Sequence, residues 1–221
     1  MIHILLTTLT LLTLSKGITM PANDLSPEVK TKRQATYPIN SLILNRWSPR
    51  SMSGESMSDE ELLPLFEAAR WAPSSFNDQP WVILYAKRGT PEWNLFFDLL
   101  VEPNKTWVKN ASAILVVTSR ETFERNGNPS ATHSYDTGAS WMAMALEGSS
   151  RGYVVHGMSG FDYKKARTVL EIPEGYTVEA MAAIGKPAPK EQLPEGLQKI
   201  EAPSGRKPLN KVAVHGKFPK K

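Results

Sequence analysis

Ala72-Pro73-Ser74-Ser75-Phe76-Asn77-Asp78-Gln79-Pro80-Trp81 is a polar, proline-bounded stretch between two apolar segments. Upstream, Leu62 to Arg70 is helix-forming; downstream, Val82 to Ala86 is an apolar run of strand length. The stretch is therefore a sharp helix-to-strand connection. Its two prolines fix φ and remove backbone donors. Its Ser, Asn, Asp and Gln side chains can bond their own backbone or a ligand. An ordinary capped loop satisfies the same composition, so the reading turns on what surrounds it.

Working outward, Arg46-Trp47-Ser48-Pro49-Arg50 closes an apolar-faced segment (Ile39, Leu42, Ile43). Pro49 holds Ser48 out of helix and turns the chain. Two guanidiniums and a hydroxyl at a turn suit an anion such as a phosphate, although two surface arginines beside a turn read the same way. Ser58-Asp59-Glu60-Glu61 is a capping box that starts the helix carrying Leu62, Leu65, Phe66 and Ala69, with Pro64 a place for a kink. Beyond the loop come an aromatic-faced helix after Pro91 (Trp93, Phe96, Phe97, Leu100), Asn104, and a buried strand from Ala113 to Thr118. Glu121 to Thr132 is a polar excursion. Tyr135 to Ser150 is a helix apolar nearly all round, expected to be central. Gly152 to Asp162 reads as strand, glycine turn and helix start, without the Gly-x-Gly-x-x-Gly order of a dinucleotide fold. A helix to Leu170, a strand over Val178 to Ile184, a proline-rich excursion and the basic loop Ser204-Gly205-Arg206-Lys207 follow, and Val212-Ala213-Val214 is read as a last short strand.

Taken together, Pro73, Ser74, Ser75, Asn77, Gln79, Pro80 and Trp81 resemble the signature loop of the FMN-dependent nitroreductase family. Arg46, Ser48 and Arg50 are similar to that family's opening motif, His156-Gly157-Met158-Ser159-Gly160-Phe161 to a segment passing the flavin, and Arg206 with Lys207 to its closing basic motif. The likeness runs from about residue 40 to 218 in the family's order. It implies an α+β fold, a central mostly antiparallel sheet flanked by helices, in an intertwined homodimer with FMN at each subunit interface. The cofactor-binding residues it implies are Arg46, Trp47, Ser48, Arg50, Pro73, Ser74, Ser75, Asn77, Asn104, His156, Gly157, Met158, Gly160, Arg206 and Lys207. Arg46 and Arg206 would pair the phosphate, Arg50 would sit by the pyrimidine edge, and Ser74, Ser75 and Asn77 would come from the other subunit. The implied activity is hydride transfer from NADH or NADPH, through FMN, to a nitroaromatic, quinone or similar electron-poor small molecule in a ping-pong cycle. The alternative is a flavin-binding redox sensor without turnover. No side chain need be a catalytic acid or base, and none is named.

The rest of the chain sets bounds. With 221 residues, 41% hydrophobic and 22% charged, it has the composition of a globular protein with a sizeable core. It has no cysteine, which excludes disulfides and thiolate chemistry and leaves the redox compartment open. Four histidines (His3, His133, His156, His215) have no metal-ligand spacing, so no metal site is expected. A serine-hydrolase elbow is absent. The net charge of +4 is gathered largely in Lys30, Lys32 and Arg33 and in Lys217, Lys220 and Lys221, read as solvated tails. No nucleic-acid module is visible.

Residues 1–19 form an apolar leader or upstream extension, residues 20–38 a polar linker or arm, and residues 39–221 the FMN-binding domain. The leader fits a cleaved signal, a membrane anchor, or sequence ahead of a start at Met20. The last is the working expectation, with a cytoplasmic protein not attached to a membrane.

Overall fold

The structure is a computed structural model that describes residues 24–219; the expectations about residues 1–19 and a start at Met20 lie outside the described residues. The helices are α1 (Pro27–Lys30), α2 (Ser41–Asn45), α3 (Asp59–Arg70), α4 (Trp93–Phe97), α5 (Glu102–Val108), α6 (His133–Ser150), α7 (Tyr163–Val169) and α8 (Glu195–Gln198). The strands are β1 (Trp81–Lys87), β2 (Ala113–Arg120), β3 (Val154–Met158) and β4 (Tyr176–Gly185). They form one sheet in the order β1-β2-β4-β3, with every neighbouring pair antiparallel.

Strand β2 lies at the centre of this arrangement. Residues Ala113 to Ser119 are all buried, which is why the sequence shows there an unbroken run instead of an alternation. Its side chains still alternate in direction. Ile114 and Val116 face a core with Phe96, Leu99, Trp107, Phe161 and Ala166, beneath α4, α5 and α7. Ala113 and Leu115 face a second core with Leu62, Leu65, Ala69, Met144, Ala145 and Val155, beneath α3 and α6. The molecule is thus a three-layer helix–sheet–helix stack, the antiparallel α+β architecture that the sequence implies.

Helix α3 starts where the capping box requires. The Ser58 hydroxyl accepts from the Glu61 N–H at 3.3 Å and the Glu61 carboxylate accepts from the Ser58 N–H at 2.8 Å. The helix continues through Pro64 as one element. Helix α6 lies close to β3 because Gly148 has no side chain: a Cβ there would stand 2.5 Å from Val155 Cγ2.

One expectation is corrected within the described residues. Residues Val212–Val214 form no strand: a short 3-10 turn covers Leu209–Lys211, and the two valines are exposed. A three-residue strand needs a ladder to join, and among the described residues this segment pairs with no strand. The described part of the arm is tied to α2. Val29 is fully buried, the Ser26 N–H donates to Asn45 Oδ1 at 3.0 Å, and Asn45 Nδ2 donates to the Asp24 carbonyl at 2.8 Å.

Candidate functional site

Three arginines from distant parts of the chain meet at one edge. Arg46 leaves the end of α2 and donates to Ser48 Oγ at 3.3 Å. Arg206 is brought in by the segment after α8, where its Nη1 donates to the Gly205 carbonyl at 2.8 Å and to Ser204 Oγ at 3.0 Å. Arg33 comes from the arm. Burial lowers the pKa of Arg46, and the nearby Arg206 charge lowers it further. Burial likewise lowers that of Arg33, followed by the charges of Arg206 and Arg46. Among the described residues, none of the three forms an ion pair with a carboxylate. Guanidiniums stay charged under such shifts, so this is a concentration of positive charge with no counter-charge of its own. Lys207 lies exposed beside it.

Arg50 is in a different condition. Its Nη1 lies 3.5 Å from Glu201 Oε2, and the Arg50 and Ser51 N–H groups both donate to Glu201 Oε1 at 2.5 and 2.9 Å. The Glu201 side chain is only 3% exposed. Buried acceptors of this kind need several donors, and the turn at Pro49 supplies them.

His156 links this turn to the sheet. Its Nδ1 is 2.8 Å from the Pro49 carbonyl, so it carries the proton and donates. The ring packs on Trp107 with centroids 4.5 Å apart. Burial lowers the His156 pKa, and the Arg50 and Arg46 charges add to this against the Pro49 carbonyl, which favours the charged form. The unfolded chain therefore binds more protons than the folded one below the ordinary value of 6.5. This contribution to stability is complete above 6.5 and is lost as pH falls through that value toward the lowered folded pKa. The melting temperature is expected to fall between about pH 7 and about pH 5, and the fall should be shallower in His156→Gln. Parallel slopes by scanning calorimetry would contradict this.

Beyond His156, β3 carries Gly157 and Met158 into a cleft of about 440 Å³, walled also by Val117, Thr137, Trp141, Ser159 and Glu179. Two polar atoms of its α6 wall, Thr137 Oγ1 and Trp141 Nε1, are buried without a hydrogen-bond partner among the described residues. A cleft of this size, largely apolar with a few unsatisfied polar groups, is the usual form of a small-molecule site. Gly157 is needed here: a Cβ would stand 3.1 Å from the Trp141 ring. Asn104 and Gly160 also meet, the Asn104 amide donating to the Gly160 carbonyl at 3.0 Å. Asn104 is thus committed to the backbone that ends the cleft. A second depression, of about 1360 Å³ between the arm and the C-terminal end of α6, includes Trp47 and Glu201 but none of the partnerless atoms.

The signature loop stands apart. Pro73, Ser74, Ser75 and Asn77 have no hydrogen bond to the arginine cluster among the described residues. The loop is tied to α6 instead, with the Ser75 N–H donating to Asp136 Oδ2 at 3.0 Å. The Gln79 N–H donates to Ser74 Oγ at 3.0 Å, and Gln79 Nε2 to the Asn77 carbonyl at 3.0 Å. Arg120 pairs with Asp78 at 3.0 Å, and Arg125 lies 3.9 Å over the Phe76 ring. Phe76, Asn77 and Gln79 all hold positive φ, of 53°, 56° and 49°. Three non-glycine residues in this region cost about 1–3 kcal/mol each and persist only where surrounding bonds impose them.

A Ser119–His133–Glu179 cluster invites a hydrolase reading, with Ser119 Oγ 2.7 Å from His133 Nδ1 and 2.5 Å from Glu179 Oε1. Ser119 is fully buried and its hydroxyl is engaged on both sides, so no substrate carbonyl can reach it.

Sequence reading missed Arg33, Glu201, Thr137 and Trp141. Arg33 lay in a basic run taken as solvated, Glu201 in a proline-rich excursion, and the other two on a helix taken as packing.

Fold and site together define a three-layer protein with a cluster of three arginines and a largely apolar cleft between β3 and α6. The profile of the Nitroreductase family matches residues 43–92. An FMN-containing oxidoreductase of known structure shares 45% identity, over 86% of this chain and 97% of that one, with a TM-score of 0.82. The chain belongs to the nitroreductase family. A Desulfovibrio desulfuricans protein solved in complex with FMN is 23% identical over 89% of this chain and 100% of that one, TM-score 0.63. A nitroreductase family protein from Clostridium difficile 630 is 18% identical over 80% and 97%, TM-score 0.62. At those identities the likeness is one of fold. No curated protein matches the sequence. No helix among the described residues is long and apolar enough to cross a membrane.

Proposed function

We propose that this chain is an FMN-dependent oxidoreductase that takes hydride from NADH or NADPH and delivers it to an electron-poor small molecule, a quinone or nitroaromatic. The observation that carries this is the gathering of Arg33, Arg46 and Arg206 with no carboxylate partner among the described residues, together with a cleft at Gly157 and Met158 that holds unsatisfied polar atoms. A dianionic phosphate answers the first feature and a flat heteroaromatic ring with hydrogen-bonding edges answers the second. The FMN found in the 45%-identical relative has both parts.

When bound, FMN supplies the hydride chemistry, and the protein binds, orients and shields. Arg46 and Arg206 hold the phosphate, with Lys207 in reserve, and Ser48 contacts the ribityl chain. Arg50 faces the pyrimidine edge with its charge partly shared with Glu201. Trp47 flanks the same turn. Gly157, Met158 and Gly160 present backbone to the ring, and Asn104 steadies Gly160. His156 is a positioning group: burial favours its neutral form, and its Nδ1 proton is donated to the Pro49 carbonyl.

Pro73, Ser74, Ser75 and Asn77 serve the cofactor from a second copy of the chain, so the working unit is a homodimer. Their separation from the basic cluster within one chain supports this, as do the exposed Phe76, Val212 and Phe218. Donor and acceptor occupy the cleft in turn, in a ping-pong order.

Anaerobic addition of NADH or NADPH to the FMN-loaded protein should bleach the absorbance near 450 nm (on the order of the usual flavin band). A quinone should then restore it. Persistent colour with both nucleotides would remove the oxidoreductase reading and leave a flavin-binding protein without turnover.

A further inference from the structure

We propose that Arg33, on the arm ahead of the family-matched segment, is the third guanidinium of the phosphate subsite and the residue that holds Arg46 and Arg206 in register. This rests on the FMN reading above and extends it to residues outside the matched segment.

The geometry is specific. Arg33 Nη1 donates to the carbonyls of Leu44 at 2.6 Å and of Arg46 itself at 2.8 Å, and Nε donates to the Ser204 carbonyl at 3.0 Å. One planar fork therefore spans the segment carrying Arg46 and the segment carrying Arg206, which are far apart in sequence. A guanidinium suits this because its donors are fixed relative to one another. Nη2 enters none of these three bonds and keeps two N–H groups.

All three acceptors are neutral carbonyls, so Arg33 keeps its full charge within the field of Arg46 and Arg206. The lowered pKa of Arg33, with both of those charges among its causes, agrees with their closeness. Like charges gathered in a half-buried place oppose folding unless an anion joins them. A terminal phosphate, with about two negative charges near neutral pH, is such an anion. A residue serving only as a latch could use neutral donors; a charged fork beside two other cations does both tasks.

The test compares two ligands that differ only in the phosphate. The full chain, stripped of flavin, is titrated with FMN and with riboflavin by fluorescence, for wild type, Arg33→Gln and Arg33→Lys, at low and high salt. Arg33→Gln should weaken FMN at least about tenfold while riboflavin changes by less than about twofold, and the salt dependence of FMN binding should shrink. Arg33→Lys, which keeps charge without the fork, should fall between. Equal weakening of both flavins would reduce Arg33 to a fold contact and overturn the proposal, as would unchanged FMN affinity. Should Arg33→Gln fail to fold, Arg33→Lys decides alone: a wild-type ratio of FMN to riboflavin affinity overturns the proposal. Wild-type protein that binds FMN no better than riboflavin removes the phosphate subsite altogether. Wild-type protein that binds neither removes the FMN reading and this one with it.

Discussion

Arg46→Gln and Arg206→Gln combined are expected to weaken FMN binding between about a hundredfold and ten-thousandfold, so that the protein purifies colourless. Each arginine offers a charge-assisted bond to the phosphate, worth about 1.5–3 kcal/mol. The sign of the accompanying stability change separates this from unfolding. In the flavin-free chain these two charges and Arg33 repel one another. Removing two of three should leave the melting temperature of the stripped protein unchanged or raise it. Equilibrium dialysis with FMN and a thermal melt of the stripped protein give both quantities. A yellow double variant with wild-type affinity would mean that the phosphate is held elsewhere.

Leu65→Ala should be the most damaging single change to the fold. Leu65 is fully buried where α3, α6 and β3 converge, with Leu62, Met144 and Val155 around it. Its Cδ2 lies 3.4 Å from where a Gly148 Cβ would stand, so the backbone of α6 already closes over it and has little room to collapse further. Cavities left by such truncations cost about 2–5 kcal/mol. For a domain of this size each kcal/mol moves the melting point by about 2–4 °C, which gives a fall of about 4–20 °C. The melt is made on flavin-free protein, because a bound ligand raises the apparent stability. A shift under about 2 °C would mean that the layer repacks around the void.

The parts legible in the sequence are those encoded locally. The Ser58/Glu61 capping box declares the start of α3 because its two bonds join residues three apart. The run from Ala113 declares β2 because both its faces are covered. The loop before Trp81 was legible as a motif, but its left-handed residues were not, since Phe76, Asn77 and Gln79 carry no local preference strong enough to announce three such angles in four positions. What stayed hidden depends on distant partners. Arg33 sits in a basic run whose meaning is set by Ser204, 171 residues away. Glu201 matters only because the turn at Pro49 aims two amides at it. Val212 to Val214 has strand-like residues but no strand beside it, and β structure is a property of pairs.

The bond from Arg33 to the Ser204 carbonyl has a consequence for biosynthesis. A ribosome delivers Arg33 well before Ser204, 171 residues further on, so the cationic rim does not exist until that later segment has emerged. The sheet, whose last strand ends at Gly185, can assemble on the emerging polypeptide, whereas capture of an anion has to wait for the Ser204–Arg206 segment. Copies cut short between Gly185 and Ser204 would keep the sheet and lack the rim, so affinity for a phosphorylated ligand distinguishes them from copies that carry Arg206.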